Sequence, residues 1–488
     1  VTEIDMTSFD GIIGSLTPMS GEVIDWTSPT APDRALQFRA GGHADVERAV
    51  GSAGRAAGLW HRLAPSERRM AMLRWGDAIE AAAERIGMLD CVDMGKPIAV
   101  ATMEACVAAH IVRWYAQAID KACGEVIASS REAISLSLRV PYGVVGAMVS
   151  WNYPSINAAM KVGPALAAGN GMVLKPSEIS PRSAILIGTL AEEAGIPVGL
   201  LSVLPGGAAT GAALCSHPGV AMLAFTGSTQ TGRSVAKLAA ERLVPAIIEA
   251  GGKNAIVVLD DMTDYQGIAI DAVAEAYANS GQLCVARSKI LVPSDRIDQF
   301  SDALVAAAAD FLPGDPLEPN TKFGPLASKA HSDRIRSAVD MALGRGEQVI
   351  RDGRPVQHDM LNHSLTVVRA DDPTSPILRD EYFGPILAVV PYDSISDAVR
   401  LAGLGGYGLA MTLWTGELAR ANMLRQELCV GHLKIKSVAG QDSATGLALP
   451  LEPAGQSGYG IEFGVDALSS YSRRMAVEQI GCLAPLDR

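Results

Sequence analysis

Three residues in this chain could together carry out covalent chemistry. Cys284 lies in the stretch NSGQLCVA (residues 279–286), between the apolar Leu283 and Val285. Asn152 stands in SWNYP (150–154), and Glu249 immediately precedes AGGKN (250–254). A thiol becomes a nucleophile when it faces a pocket near a base or a positive field. The carbonyl it attacks needs N–H donors for the oxyanion that develops. Cysteine, asparagine and glutamate are the right types for those roles, although a lone cysteine is more often an inert packing group. Two further segments could hold a phosphate-bearing ligand. FTGSTQTG (225–232) places Gly227, Ser228 and Gly232 after an apolar run, where backbone N–H groups at a helix start bind anions. Lys175 and Glu178 in LKPSE (174–178) could hold ribose hydroxyls or form a solvated ion pair.

Legible elements position these residues. The apolar runs VVGAMV (144–149), MVL (172–174), LLSVL (200–204), AMLAF (221–225) and AIIEA (246–250) alternate with helix-like segments. One of those helices is expected over 180–194, with Ser180 as cap, Pro181 at the first helical position and Gly195 past the end. Such alternation predicts an α/β fold with a parallel sheet covered on both faces, whose ligands bind beyond the carboxyl ends of the strands. SWNYP, KPSE, TGSTQTG and GGKN sit at four such ends. A second series, AIVVL (255–259), a helix around 264–280 and SKILVP (288–293), predicts a further α/β unit that carries Cys284. Residues 45–120 read mainly as helices, with AMLRWGDAIEAAAERIGMLD (71–90) at helical spacing. Residues 124–140 alternate like the strands of a hairpin or edge and, with the tail from Ser470, suggest an assembly arm.

Composition narrows the function classes. The 488 residues carry 41 basic and 53 acidic side chains, a net charge of -12, which disfavours nucleic acid or an anionic membrane as the main partner. With 48% hydrophobic residues the chain can bury a large core. The seven cysteines show no CxxC or Cys/His ligand spacing, so reduced thiols and no metal are expected. The charge-free runs 140–160 and 194–232 are cut by prolines and glycines and give no membrane span. The opening VTEIDMTSFD lacks signal architecture, which points to the cytoplasm.

Taken together, SWNYP, LKPSE, FTGSTQTG, EAGGKN, NSGQLCVA and EYFGP (381–385) occur in the order, and near the spacing, of the signature segments of NAD(P)-dependent aldehyde dehydrogenases. RWYAQAIDKACGEV (113–126) and YSRRMAV (471–477) extend the resemblance over essentially the whole chain. The resemblance implies an aldehyde dehydrogenase-like fold. Residues 1–122 and 142–253 would form a modified Rossmann domain for NAD, residues 254–453 an α/β catalytic domain, and 123–141 with 467–488 a β oligomerisation arm; 454–466 would return between them. A homodimer or homotetramer follows. Cys284 matches the nucleophile, Asn152 the oxyanion donor, and Glu249 the base that activates water for a non-acylating, hydrolytic reaction. Lys161 and Glu462 match proton-relay positions, with a structural ion pair as the plain alternative. Lys175, Ser177 and Glu178 match the adenosine-ribose end of the cofactor, Gly227, Ser228 and Gly232 the pyrophosphate turn, and Trp151, Glu381 and Phe383 the nicotinamide end. A carboxylate at Glu178 would repel a 2'-phosphate, so NAD is expected, with NADP left open by the neighbouring Lys175.

Met103, Val107, Tyr153, Ile156, Asn157, Met160, Leu283 and Val285 match the substrate tunnel, and none carries a charge. They predict an apolar or aromatic aldehyde. RWYAQAIDK and EAGGKN are instead similar to the branch acting on aminoaldehydes such as γ-glutamylaminobutyraldehyde, and a retired family member used as a binding protein is a further alternative. The chain departs from the family pattern in three places. Where the family usually has a strand ending in an aromatic and an Asn, the chain reads GHLKIKSV (431–438), with Lys434 and Lys436, and PLEPAGQSG (450–458) stands where the family usually has Pro-Phe-Gly-Gly. Ser150 stands where a proline commonly precedes the Trp-Asn pair, a change expected to loosen that turn.

Overall fold

The apolar runs between residues 144 and 249 become strands because each is short, rich in residues that pack on a pleated surface, and closed by a polar or glycine-bearing turn. In the computed structural model of the chain, which describes residues 11–12, 16–17, 19–130, 133–355, 360–441 and 446–480, they are parallel. Their order across the sheet is Leu201–Val203, Gly171–Lys175, Val144–Met148, Met222–Thr226 and Ala246–Glu249. The chain therefore grows one way from Val144–Met148 and then resumes on its other side at Met222–Thr226, which pairs with it from Met222↔Val145 to Phe225↔Met148. Strand order reverses between those two, and a crevice opens beyond their carboxyl ends. Gly458–Tyr459 adds antiparallel to the Ala246–Glu249 edge.

Successive strand residues face opposite layers. Ile247 joins the core that holds Trp60, Trp75, Tyr115, Leu174 and Tyr471, while Ile248 packs with Met148, Val173, Phe225 and Val235 on the other face. The indoles inside the first layer keep partners: Trp60 Nε1 donates to Leu166 O at 2.8 Å and Trp75 Nε1 to Ile187 O at 2.9 Å. The helix expected over 180–194 spans Arg182–Glu193. Its expected cap does not form, because the helix starts at Arg182 with Pro181 in the N-cap place, while the Ser180 hydroxyl donates to Trp151 O at 3.1 Å. The stretch 71–90 is two helices, Pro65–Ala81 and Ala83–Met94, separated at Ala82.

A second sheet runs Gln348–Arg351, Thr366–Arg369, Ile386–Tyr392, Arg287–Pro293, Asn254–Val258, Ala410–Trp414, His432–Lys436, all parallel but the first. Helices cover both faces, with Val257 in one core and Ile256 in the other. A third sheet lies apart from both. Ser472–Ile480 pairs antiparallel with Ala133–Pro141 in unbroken register from Ser472↔Pro141 to Ile480↔Ala133, and Glu125–Ile127 flanks it. Val126 and Ile480 are each 77% exposed, an apolar surface that nothing among the described residues covers. Residues 481–488 of the expected arm lie outside the described residues. Among the described residues no helix is long and apolar enough to cross a membrane.

Candidate active site

Cys284 sits on a loop held in a conformation that its own residues disfavour. The helix Tyr265–Tyr277 runs into a tight turn, Ala278–Gly281, in which Asn279, Ser280 and Gly281 have φ of 50, 57 and 74°. A left-handed conformation costs a non-glycine residue about 1–2 kcal/mol, so the surroundings must hold the turn in place. Asn279 Nδ2 donates to Asn152 O at 3.2 Å and to Gln282 O at 3.0 Å, and Ser280 Oγ donates to Gly324 O at 2.7 Å. Gln282 is fastened at both ends of its amide, through Ala327 N–H to Oε1 (2.9 Å) and Nε2 to Asn279 O (3.1 Å). A Cβ on Gly281 would lie 2.4 Å from the Gly384 carbonyl carbon, so only glycine lets the loop approach. Asn254, the first residue of its strand, donates to Cys284 O at 2.7 Å and Ala286 O at 2.9 Å. Its Oδ1 accepts from Ala410 N–H at 2.9 Å, which ties the loop to the second sheet.

Asn152 comes from the first sheet, just beyond Val144–Met148, and is 3% exposed. Its Nδ2 donates to Gln282 O at 3.0 Å, across the cleft and two residues before the thiol. Its Oδ1 accepts from the Ser150 hydroxyl at 2.8 Å, and Asn157 Nδ2 donates to Ser150 Oγ at 2.9 Å. Ser150 therefore tightens the turn it was expected to loosen, because its hydroxyl replaces ring rigidity with a hydrogen bond. Asn157, matched to the substrate tunnel, is 8% exposed and has its amide turned to this network.

Beneath Asn152 lies a buried ion pair that the sequence did not reveal. Lys96 Nζ is 2.5 Å from Glu104 Oε2, donates to Asn152 O at 2.8 Å, and stands 3.5 Å from the centre of the Tyr153 ring. Burial lowers the Lys96 ammonium and raises Glu104 to about 7, each opposed by the other's charge. Charged residues eight positions apart carry no periodic signature of pairing, so only the packing of the helix Ile98–Ala118 exposes the link. Removing one partner strands a buried charge. Lys96→Met is expected to cost about 3 kcal/mol in denaturant unfolding, and Lys96→Met with Glu104→Leu to recover most of it. Equal losses in the single and double variants would refute the pairing.

Glu249 ends the strand Ala246–Glu249 and is 6% exposed. Burial pushes its carboxyl up to about 8, against the pull of Lys161. Oε1 is buried with no hydrogen-bond partner among the described residues. The Cys284 thiol is pushed up to about 12 by burial, with the charges of Glu249 and Glu381 adding to it. At rest the thiol is protonated, and a basic carboxylate close enough to act on its charge stands nearby. Lys161, fully buried in the helix Pro154–Ala167, is paired with Glu462 and donates to Phe225 O at 3.5 Å. Burial brings Lys161 down to about 8, while Glu249 and Cys284 act to raise it.

The remaining cofactor candidates lie on the loops that follow strands of the first sheet and on the segment leading into the strand Ile386–Tyr392. Lys175 Nζ donates to Gly206 O at 2.6 Å and Pro176 O at 3.0 Å, with the half-exposed Glu178 carboxylate 3.9 Å away. Ser177 Oγ accepts from Ile179 N–H at 3.3 Å. Ser228 caps the helix Thr229–Arg242 by accepting from Thr231 N–H at 3.2 Å. Gly227 N–H bonds Glu249 O at 3.0 Å, and Gly232 is buried, with Ile248 3.0 Å from where its Cβ would be. Glu381 accepts from Gly252 N–H at 2.8 Å, and burial raises its carboxyl to about 7. Phe383 is left-handed (φ 60°), and its carbonyl accepts from His331 Nε2 at 2.8 Å. Trp151 packs edge-on to Phe383 (5.6 Å) and to His331 (5.8 Å). His331 was not anticipated; its position at the start of the helix Lys329–Gly344 gave no signal, and burial keeps it neutral by lowering it to about 4.

Of the other tunnel candidates, Val107, Tyr153, Ile156, Met160, Leu283 and Val285 are half-buried, and Met103 is 53% exposed on the helix Ile98–Ala118. Lys434 and Lys436 turn away to the helix Tyr265–Tyr277, donating to Glu275 at 3.2 Å and Asp271 at 2.7 Å. Those lysines fasten a strand to a helix. Residues 442–445 of the departing loop lie outside the described residues.

Known proteins resemble this chain over nearly its whole length. The chain is 35% identical over 463 residues to the NADP/NAD-dependent aldehyde dehydrogenase PuuC of Escherichia coli, covering 92% of this chain and 91% of that one. It is 35% identical over 446 residues to the aminoacetaldehyde dehydrogenase of Pseudomonas aeruginosa, covering 90% and 88%. It superposes with a TM-score of 0.93, at 33% identity over 98% of each chain, on a mutant of the P. syringae AldA indole-3-acetaldehyde dehydrogenase in complex with NAD+ and IAA. The model of the aldehyde dehydrogenase family matches residues 16–477, and with these relatives it shows that the chain belongs to that family.

Proposed function

We propose that the chain oxidises an aldehyde to the carboxylic acid with NAD, through a thioester on Cys284. The observation that carries this reading is the convergence of Cys284, Asn152 and Glu249 on one cleft from two different sheets. The cofactor candidates fit a dinucleotide. The start of a 14-residue helix, capped by Ser228 after Gly227, offers N–H groups to a pyrophosphate. Lys175, Ser177 and Glu178 would hold the adenosine end, with the Glu178 carboxylate favouring NAD over NADP. Trp151, Glu381 and Phe383 would hold the nicotinamide end, close to the orphaned carboxylate oxygen of Glu249. When bound, the nicotinamide supplies the hydride acceptor that the side chains lack.

The residues divide the work as follows. Glu249 accepts the thiol proton, the Cys284 sulfur bonds the carbonyl carbon, and the carbonyl π pair moves onto oxygen. Asn152 has one Nδ2 hydrogen on Gln282 O, and its other is available to that oxyanion beside the Cys284 backbone N–H. Loss of such a donor typically costs about 10²- to 10³-fold in rate. After oxidation to the thioester, Glu249 takes a proton from water, hydroxide adds to the thioester carbon, and collapse expels the Cys284 thiolate with the acid. Lys161, paired with Glu462 and close enough to feel the charge of Glu249, would with Glu462 carry its proton away.

The half-buried tunnel candidates are uncharged, and Glu104, the acidic group on the helix beside them, is turned to Lys96. An apolar or aromatic aldehyde fits that lining. The aminoaldehyde reading is favoured by the names of relatives such as the P. aeruginosa enzyme. A panel of hexanal, phenylacetaldehyde and 4-aminobutyraldehyde with NAD, followed as NADH absorbance, separates the two by rate. No NADH from any aldehyde while NAD still binds would overturn the enzymatic reading. Acyl-CoA in place of free acid when CoA is added would overturn hydrolysis.

A further inference from the structure

We propose that Ser150 and Asn157 are positioning residues that fix, and strengthen, the oxyanion donor of Asn152. The inference rests on the role given to Asn152 above. Its basis is the direction of each hydrogen bond in the network. An amide oxygen only accepts, so the contact of 2.8 Å between Ser150 Oγ and Asn152 Oδ1 uses the single hydroxyl hydrogen. Ser150 must then be the acceptor toward Asn157 Nδ2 at 2.9 Å. Asn157 Nδ2 also reaches Ser150 O at 3.4 Å and Asn152 Oδ1 at 3.5 Å, so it stands over the turn rather than beside it. On the far side of the Asn152 amide, Nδ2 faces the carbonyl of Gln282 at 3.0 Å. The result is a one-way chain from Asn157 to Ser150 to the Asn152 oxygen, leaving the Asn152 N–H groups directed at the nucleophile loop.

Turning that amide over would set its oxygen against Gln282 O and its NH₂ against the NH₂ of Asn157. Both ends resist the flip. Donation into Oδ1 also draws electron density from the amide nitrogen, and linked hydrogen bonds of this kind strengthen one another. The remaining N–H of Asn152 becomes a better donor toward a developing negative oxygen. A proline at position 150 would supply no hydroxyl, and an apolar side chain at 157 no donor. The pairing of Ser150 with Asn157 is therefore a device of this chain's own residues.

The test uses the full-length enzyme with phenylacetaldehyde and NAD. Ser150→Ala is expected to lower kcat about 5- to 10-fold, the loss of one hydrogen bond to the donor, with NAD affinity and the rate of Cys284 alkylation by iodoacetamide unchanged. Ser150→Thr, which keeps the hydroxyl, should stay within about twofold of the parent, and Asn157→Leu should lose about 2- to 3-fold. Because the hydroxyl acts through Asn152, Ser150→Ala should add nothing to Asn152→Ala, so the double variant matches Asn152→Ala alone. Full activity in Ser150→Ala, or a loss that multiplies with that of Asn152→Ala, would overturn the proposal while leaving Asn152 in its role. Full turnover in Asn152→Ala itself would instead remove the oxyanion reading on which the proposal stands. If Ser150→Ala lowers the melting temperature, the Thr and Leu variants decide.

Discussion

Replacing Cys284 with alanine is expected to lower NADH formation from aldehyde by about 10⁴-fold or more while NAD binding persists. The size follows from the covalent route, since without the sulfur no tetrahedral adduct forms for the oxyanion donors to stabilise. The persistence of the fold follows from the loop. Its shape is held by the side chains of Asn254, Ser280, Asn279 and Gln282, and Cys284 contributes a backbone carbonyl rather than its thiol. Two of the other described thiols, Cys91 and Cys215, are buried, and burial pushes them up to about 12 and about 11. Absorbance of NADH measures the first half of the expectation. Quenching of tryptophan fluorescence by NAD, with Trp151 among the cofactor candidates, measures the second. A variant retaining a tenth of the parent rate would mean that the aldehyde is oxidised without passing through sulfur.

Glu249→Gln should behave differently, giving a burst of about one NADH per site and then a steady rate about 10²-fold below the parent. The amide preserves shape but cannot take a proton from water, so the thioester forms and waits. The pH profile of the parent carries the same signature. A carboxyl acts as a base only when deprotonated, and burial raises Glu249 to about 8. The competent fraction therefore increases with pH, and the steady rate should climb between about pH 7 and about pH 9. In the Gln variant that climb should vanish. Stopped-flow absorbance resolves the burst, and steady turnover without one would take Glu249 out of deacylation.

The parts of this protein that could be read from sequence were those governed by local rules. Buried parallel strands show as short apolar runs, and a crevice site must follow their carboxyl ends, so Asn152, Lys175, Ser228 and Glu249 could be placed before any packing was known. Interactions between elements distant in sequence could not. The Lys96 and Glu104 side chains carry no local sign of pairing until the helix carrying Glu104 is packed under the turn at Asn152. Ser150 read as a defect because its hydroxyl finds Asn157 only after the helix from Pro154 begins. Lys434 and Lys436 stood out as departures from the family pattern, yet they pair with a helix more than 150 residues earlier. Ser180 obeyed the rule for a cap in composition, yet the helix begins one residue too late for it, with Pro181 in the N-cap place. His331 and the Phe383 carbonyl meet across 52 positions of chain and had no local sign at all.

The first and second sheets contribute Asn152 and Cys284 respectively, and the bond from Asn152 Nδ2 to Gln282 O crosses the line between them. The proposed oxyanion site would thus be a seam. Heat or denaturant that loosens the contact of the two sheets by an ångström pulls the amide from the thiol while every strand is still intact. Activity in this protein is accordingly a gauge of how tightly its halves are shut, and it should fail before the fold does.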